Sequence, residues 1–287
     1  MYKHGSRFGK YSLKNKKTRS FKMDKGEFNR LKDRMKVQVN LSWEQEEEKL
    51  SYYGLKDGMQ VLEVGSGPGF ITEKLLTKYK KSHITALEIN EDFIKHTESQ
   101  LKTEADNNRL SLIQGDITDS NLQSESFDFV FVRLVLQHLE NPEAAISEIY
   151  RVLKPGGKLV VIDVDDEIWG LVEPRVQELE HILGSHAEEQ KHEGGNRYIG
   201  RDLHRLMKQG EFEKVKLDLI PVHSGDIGVD AFLPQIDVDE MRKMVENGFA
   251  TEEEILAVKD ACDKLIDRED SFVMLILFMA FAQKKQA

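Results

Sequence analysis

One junction limits the fold more than any other stretch of this chain. The run Gln60-Val61-Leu62-Glu63-Val64 passes directly into Gly65-Ser66-Gly67-Pro68-Gly69 and then into a helical pattern from Phe70 to Tyr79. A short buried strand, a glycine turn and a helix make the opening of a β-α-β unit, in which parallel strands are joined by a crossover helix. The chain repeats this alternation. His83–Leu87 reads as a second strand, Glu91–Thr103 as a second helix and Leu110–Gln114 as a third strand. Phe127–Val132 is the fourth, and its Phe129, Val130, Phe131 and Val132 in succession suit a parallel strand buried on both faces. Asn141 and Pro142 supply an N-cap and a first-turn proline for a helix over Glu143–Leu153. Lys154-Pro155-Gly156-Gly157 ends that helix, and Lys158–Asp163 is the fifth strand. Such a sequence predicts an α/β protein with a parallel sheet and helices on both faces.

The flanking segments follow other patterns. Phe28, Leu31 and Met35 recur at steps of three and four, which predicts a helix. Ser42 with Gln45 has the form of a capping box, so a second helix is expected from Ser42 to a stop at Gly54. Residues 164–199 break the strand–helix rhythm and read as an insertion. Beyond it come a helix at Arg201–Lys208, a strand at Phe212–Ile220, a helical pair over 237–268 with a capping box at Thr251 and Glu254, and a last strand at Phe272–Ala282. The expected organisation is a basic arm (1–23), an N-terminal helical lid (24–54), a ligand-binding core (55–163), an insertion lining an acceptor pocket (164–199) and a C-terminal part of the same sheet (200–287).

Composition narrows the class. With 39% hydrophobic and 32% charged residues over 287 positions, the chain can bury a core and is neither collagen-like nor wholly disordered. A lone cysteine, Cys262, excludes an internal disulfide framework and any four-cysteine zinc site. The longest apolar run, Phe272–Ala282, is shorter than the roughly 20 residues a spanning helix needs. These features suit a cytoplasmic protein without a membrane span. Charge is unevenly spread: residues 1–36 carry 13 Lys or Arg against three acids, or +10, so a net charge of −10 leaves −20 on the remainder. A basic arm on an acidic body suits either a polyanion contact or docking on the body itself. His181, His186 and His192, with Glu188, Glu189 and Glu193, lie at spacings that do not share one helix face, and no metal site is expected.

The glycine turn separates two ligand classes. A dinucleotide site needs G-x-G-x-x-G, whereas this turn is G-x-G-x-G with Phe70 at the dehydrogenase glycine and Pro68 removing one amide. Glu63, two residues before the first glycine, repels a pyrophosphate and suits a cation. Glu88 closes the second strand, 25 residues after Glu63, where it can accept from ribose hydroxyls, and Gly115-Asp116 closes the third. Together these favour S-adenosylmethionine, with its sulfonium, its ammonium and no phosphate.

The strings VLEVGSGPGF, ALEIN, QGDI, SFDFVFVRLVLQHL and EIYRVLKPGGKLV, in that order, resemble the class I S-adenosylmethionine-dependent methyltransferases, and most closely their quinone- and natural-product-modifying branch. The resemblance covers about residues 55–163. It implies a Rossmann-like, seven-stranded, mostly parallel sheet with an antiparallel last strand, an N-terminal helical lid and an insertion after strand five. It further implies that Gly65 and Gly67 form the turn beneath the methionine part, with Ser66 and Gly69 in the same cofactor loop. Glu63 would order the network near the amino group, Glu88 would hold the ribose, and Ile89 would pack on adenine. Asp116 would accept from the adenine amino group, the Ile117 amide would meet a ring nitrogen, and the Arg133 carbonyl would face the ammonium.

His138, just past strand four, is the candidate general base, against a plain packing role beside Leu136 and Leu139. Trp169, Tyr198 and His223 fall in the late region expected to wall the acceptor pocket. The leading function is methyl transfer to an O, N or C nucleophile of a small organic acceptor, mainly by positioning. An RNA-directed enzyme using the basic arm and a non-catalytic cofactor-binding scaffold are the alternatives. A nucleic-acid partner is disfavoured, because strand four lacks the Asp/Asn-Pro-Pro-aromatic run of base amino-methylating enzymes and the −20 body repels phosphate. A homo-oligomer stays open.

Overall fold

The computed structural model describes residues 24–286 apart from 169, 236 and 237. The basic arm and Trp169 lie outside the described residues. The strands are β1 Gln60–Val64, β2 His83–Glu88, β3 Leu110–Gln114, β4 Phe127–Arg133, β5 Leu153–Asp163, β6 Gly170–Glu173, β7 Glu213–His223 and β8 Phe272–Gln283. The helices are α1 Lys25–Tyr52, α2 Phe70–Lys78, α3 Glu91–Gln100, α4 Lys102–Asp106, α5 Pro142–Val152, α6 Gln177–His192, α7 Leu203–Gln209, α8 Ser224–Ile227, α9 Val238–Glu246 and α10 Glu252–Ile266.

Among the described residues the strands form one eight-stranded sheet in the order β3-β2-β1-β4-β5-β8-β6, with β7 on the other side of β8. β1 to β5 are parallel, and β8 runs against β5, β6 and β7. Alternation along the strands divides the core. Val61, Ile84, Phe129, Phe131, Val160 and Ile162 face α1 and α2, whereas Leu62, Val64, Val130, Val132, Leu159 and Val161 face α5 and α7. The expected Rossmann-like α/β sheet with its reversed last strand is present. β6 adds a short eighth strand by continuing along the side of β8 that β5 occupies.

Beyond the carboxyl edge the sheet continues as a narrow ribbon. Asp163, the last residue of β5, is opposite Phe278. The preceding part of β8 goes on pairing, with His223 opposite Met274 and Gly170 opposite Leu275. The pairing runs on to Phe272, opposite Glu173, so six residues at about 3.3 Å each carry this ribbon roughly 20 Å past the edge. α6, α9 and α10 pack together over a third core built on Leu179, Ile182, Met244, Ile255, Val258 and Cys262. The helical pair expected at 237–268 therefore packs on the insertion, and together they form a cap.

Two sequence expectations are corrected. Residues 25–52 are one uninterrupted helix, capped at Asp24, whose carboxylate accepts from the Gly26 and Glu27 amides. Ser42 is interior to it and buried, and its hydroxyl donates to Glu46 Oε1 at 2.5 Å, so Ser42 with Gln45 is no capping box. The helix expected over Glu91–Thr103 is two helices, α3 and α4, divided at Leu101. The capping box at Thr251 and Glu254 is formed as expected.

Candidate active site

The glycine turn sits at the carboxyl edge between β1 and β2. Gly65, Gly67 and Gly69 all have positive φ, and the Gly65 and Ser66 amides donate to the Leu87 carbonyl. At Gly65 a Cβ would stand 2.4 Å from Val135 Cγ2, so the loop after β4 approaches too closely for any other residue. Over Gly67 lies Met35 of α1, its Cε 3.4 Å from where a Cβ would be. The amino-terminal helix thus crosses the turn as a cover.

Three carboxylates stand around this turn in different states. Glu88 is buried and accepts from the Gly67 and Asn90 amides, both at 2.8 Å, while burial raises its pKa. Glu63 lies deeper and accepts from the Thr72 hydroxyl at 2.6 Å. Burial, with the charge of Glu88 adding to it, pushes Glu63 up to about 8, so it is protonated at neutral pH. Asp116 is exposed; its Oδ1 accepts from the Thr118 amide and hydroxyl, and no described residue bonds its Oδ2. Between Glu88 and Asp116 the Ile89 side chain is 56% exposed, an apolar surface at the mouth of a polar cleft. The Ile117 side chain is buried in the core beneath. Ser66 Oγ is buried without any hydrogen-bond partner. An orphaned hydroxyl, a part-satisfied carboxylate, an open aspartate oxygen and a bare isoleucine face fit a nucleoside whose ribose, amine and ring would satisfy them.

α1 is fastened over the cleft at its middle and towards its carboxyl end. Arg133 at the tip of β4 gives its Nε to both Glu46 oxygens, at 3.0 and 2.9 Å, and its Nη2 to Ser42 Oγ and the Gln38 carbonyl. The pair is almost fully buried, with side-chain exposures of 7% and 0%. The Arg133 side chain is therefore committed to the lid. Towards the carboxyl end of α1, Lys49 pairs with Asp218 of β7 at 2.6 Å. A surface groove of about 750 Å³ lined by Gln45, Lys49, Tyr53 and Asp218 lies between that end of α1 and β7. It is far along α1 from Met35 and takes no part in the site.

The loop after β4 carries His138 in a short 3₁₀ turn, Leu136–His138. Asp163, fully buried at the end of β5, holds this turn by accepting from the Gln137 amide at 3.2 Å. Burial pushes Asp163 up to about 7. Leu136 is fully buried and Leu139 packs on the same core. The His138 ring itself is reached by solvent although protein crowds round it, as on the wall of a cleft. Crowding and the Arg197 and Arg34 guanidiniums push it down to about 4.

Of the late candidates, Tyr198 is half-buried with the Arg201 guanidinium over its ring. His223 belongs to the ribbon, where it pairs with Asp226 at 3.3 Å and lies against Phe272. The structure does not bring His223 to the glycine turn. Residues the sequence reading did not single out for this cleft are Met35, Arg34, Gln137, Asp163, Asp166 and Arg197. Arg34 was hidden in a long basic run. The acidic string Asp163-Val164-Asp165-Asp166 directly after a buried strand was the available signal for the others. His181 pairs with Glu254 at 3.0 Å, away from His186. Among the described residues no helix is long and apolar enough to cross a membrane.

Residues 62–161 match the family described as a methyltransferase domain. The chain is 36% identical over 104 residues to a sterol 24-C-methyltransferase of Gibberella zeae, covering 36% of this chain and 27% of that protein. It is 33% identical over 107 residues to a demethylmenaquinone methyltransferase of Leptospira interrogans, covering 37% and 43% respectively. The chain thus matches less than half the length of either relative. A phosphoethanolamine N-methyltransferase of Haemonchus contortus, solved with phosphomonomethylethanolamine and S-adenosylhomocysteine, has the same fold. Its TM-score is 0.55 at 18% identity, over 85% of this chain and 53% of that one.

Proposed function

We propose that this chain, a class I S-adenosylmethionine-dependent methyltransferase of the small-molecule type, moves a methyl group to an oxygen, nitrogen or carbon nucleophile of a small organic acceptor, chiefly by positioning. The observation that carries the reading is the unsatisfied polar rim around the glycine turn: Ser66 Oγ without a partner, Glu88 held at the edge by two amides, and Asp116 Oδ2 open beside exposed Ile89.

In this reading Glu88 accepts from the ribose hydroxyls and Ile89 covers one face of the adenine. Asp116 and the Ile117 amide meet the edge of that ring. Gly65, Ser66, Gly67 and Gly69 bring backbone close to the methionine part, and the Arg133 carbonyl accepts from its ammonium. Glu63, behind them, lowers the cost of a nearby cation because it ionises when one arrives. When bound, S-adenosylmethionine supplies a methyl that its sulfonium has already activated. The chain's task is then to hold the acceptor in line and keep water out, which α1 and the cap do by covering the carboxyl edge. His138, pushed down to about 4, is a weak base at neutral pH, which supports positioning over proton abstraction.

Calorimetric titration of the full chain with S-adenosylmethionine and S-adenosylhomocysteine tests the assignment. Both should bind and NAD should not. Glu88→Ala should weaken binding by about 1.5–3 kcal/mol, the scale of hydrogen bonds to a charged group. Unchanged affinity in that variant would remove the ribose role, and no binding of either ligand would remove the cofactor.

A further inference from the structure

Four cationic or cation-forming side chains converge above the turn after β4 from separate elements. α6 carries Leu179, Ile182, His186 and Gln190 at steps of three and four, so they share one face. Gln190 fixes where that face points, because its Nε2 donates to the Gln137 carbonyl at 2.6 Å. The Asn196 amide donates to the same carbonyl at 2.8 Å, and a Cβ on Gly195 would stand only 2.4 Å from it. The end of α6 is therefore docked on the residue preceding His138, and His186 lies one turn earlier on the docked face. Arg197 follows, giving Nη1 to Gln137 Oε1 and two nitrogens to Asp166.

From the opposite wall comes Arg34, next to the Met35 that covers Gly67. Arg34 is half-buried and has no hydrogen-bond or ion-pair partner among the described residues, although the body as a whole is strongly acidic. The His138 and His186 rings likewise have no hydrogen-bond partner among the described residues. Crowding by protein, with the Arg197 and Arg34 charges adding to it, pushes the His138 and His186 rings both down to about 4. Asp166 and Asp163 are the acids beside them. The first is bonded bidentately to Arg197 and the second is turned to backbone amides, so neither neutralises Arg34. A half-buried unpaired guanidinium within electrostatic reach of two unpartnered imidazoles is costly unless something anionic completes it.

We propose that Arg34, His138 and His186 form an oxyanion subsite for the acceptor, which therefore carries a phosphate or carboxylate group. Arg34 supplies a fixed charge and a planar fork of donors, and the two imidazoles add donors by taking up solvent protons as the anion's charge raises their proton affinity. Arg197, its donors already given to Gln137 and Asp166, holds the turn in place. The inference rests on the methyltransferase reading, because the subsite lies on the acceptor side of the cleft and only orients a substrate if a methyl donor lies beneath it.

The test uses the full chain saturated with S-adenosylhomocysteine, titrated with inorganic phosphate and separately with malonate at constant ionic strength set by chloride. At least one of the two anions should bind saturably, and the tighter identifies the acceptor's acid. Arg34→Gln and His186→Asn should each weaken that binding about tenfold, the effect of one charge-assisted hydrogen bond, with S-adenosylhomocysteine affinity held within about twofold. Circular dichroism establishes that each variant is folded. Saturable binding of neither anion, or wild-type affinity in both variants, overturns the subsite. So does an Arg34→Gln loss of S-adenosylhomocysteine affinity as large as the loss of anion affinity, since Arg34 would then serve the cofactor's own carboxylate. Failure of S-adenosylhomocysteine to bind the wild-type chain is a separate result and overturns the methyltransferase reading instead.

Discussion

At the scale of single residues the site is governed by how differently burial treats neighbouring ionisable groups. Crowding by protein, with two guanidiniums adding to it, holds His138 down to about 4 although solvent reaches its ring, so the ring is neutral at pH 7 and has little basicity. His138→Ala should then lower turnover by well under the roughly 10²–10⁴-fold that loss of a general base produces. Steady-state rates with an identified acceptor check this, and a larger loss at unchanged cofactor affinity would make His138 the base. Glu63 behaves in the opposite sense. Its folded value of about 8 lies above the ordinary 4.5, so between those values the folded chain holds a proton that the unfolded chain has lost. Stability of the unliganded protein must therefore fall as pH rises through that window, at most by about 1.4 kcal/mol per unit from this group. Asp163, pushed up to about 7, contributes in the same direction below pH 7 only. Urea denaturation at pH 7 and pH 8 should show the decline, and Glu63→Gln, which still accepts from Thr72, should flatten it. A wild-type curve flat between those pH values would mean that Glu63 is ionised in the folded state.

At the scale of elements, the central strands and the glycine turn were legible because their signals are local. Alternation, glycines and an acid at the strand end are all properties of a few adjacent residues. The lid was legible only in part. Phe28, Leu31 and Met35 marked a helix, but Ser42 followed by Gln45 mimicked a start signal that tertiary contact overrides. In the fold Ser42 and Glu46 point inwards to receive Arg133, a partner 87 residues away from Glu46 that no local pattern could announce. His186 was seen in sequence only among histidines of the wrong spacing for a metal, because its true neighbours come from α1 and from the loop after β4. Tertiary pairing of this kind also makes the lid breakable in a predictable way. Arg133→Met leaves the fully buried Glu46 without its partner, and removing one partner of such a pair costs about 3–5 kcal/mol. Replacing both, as Arg133→Met with Glu46→Leu, should recover most of that loss. Thermal unfolding of the three proteins reads the difference, and equal stability of single and double variants would show that water reaches the pair. Removal of residues 1–22 keeps Asp24 and all of α1 and should leave cofactor affinity near the wild-type value. Removal of residues 1–50 takes away Met35 and Glu46 and should abolish turnover.

At the scale of the whole molecule, two cores lie against the sheet and a third lies apart from it. Tight packing joins α1, α2, α5 and α7 to β1–β5, whereas α6, α9 and α10 bury Leu179, Ile182, Ile255 and Val258 chiefly among themselves. The cap meets the rest through half-buried Val172 and Val229, through Gln190 and Arg197 on Gln137, and through Lys243 on Glu27 of α1. Elements joined by few apolar contacts open with lower free energy than the core they rest on. In the proposed function a substrate enters between this cap and the carboxyl edge, which would put the weak seam where motion is required. Native-state hydrogen exchange should therefore show α6, α9 and α10 exchanging together through a sub-global opening, ahead of β1, β4 and β5. Ile255→Ala, at a fully buried position in the cap, removes a large aliphatic group and should cost about 2–5 kcal/mol of local stability. Its effect should appear as faster exchange in the three cap helices with protection of the central strands unchanged. If the central strands lose protection by the same amount, cap and sheet unfold as one unit, and acceptor entry has to proceed by movement of α1 alone.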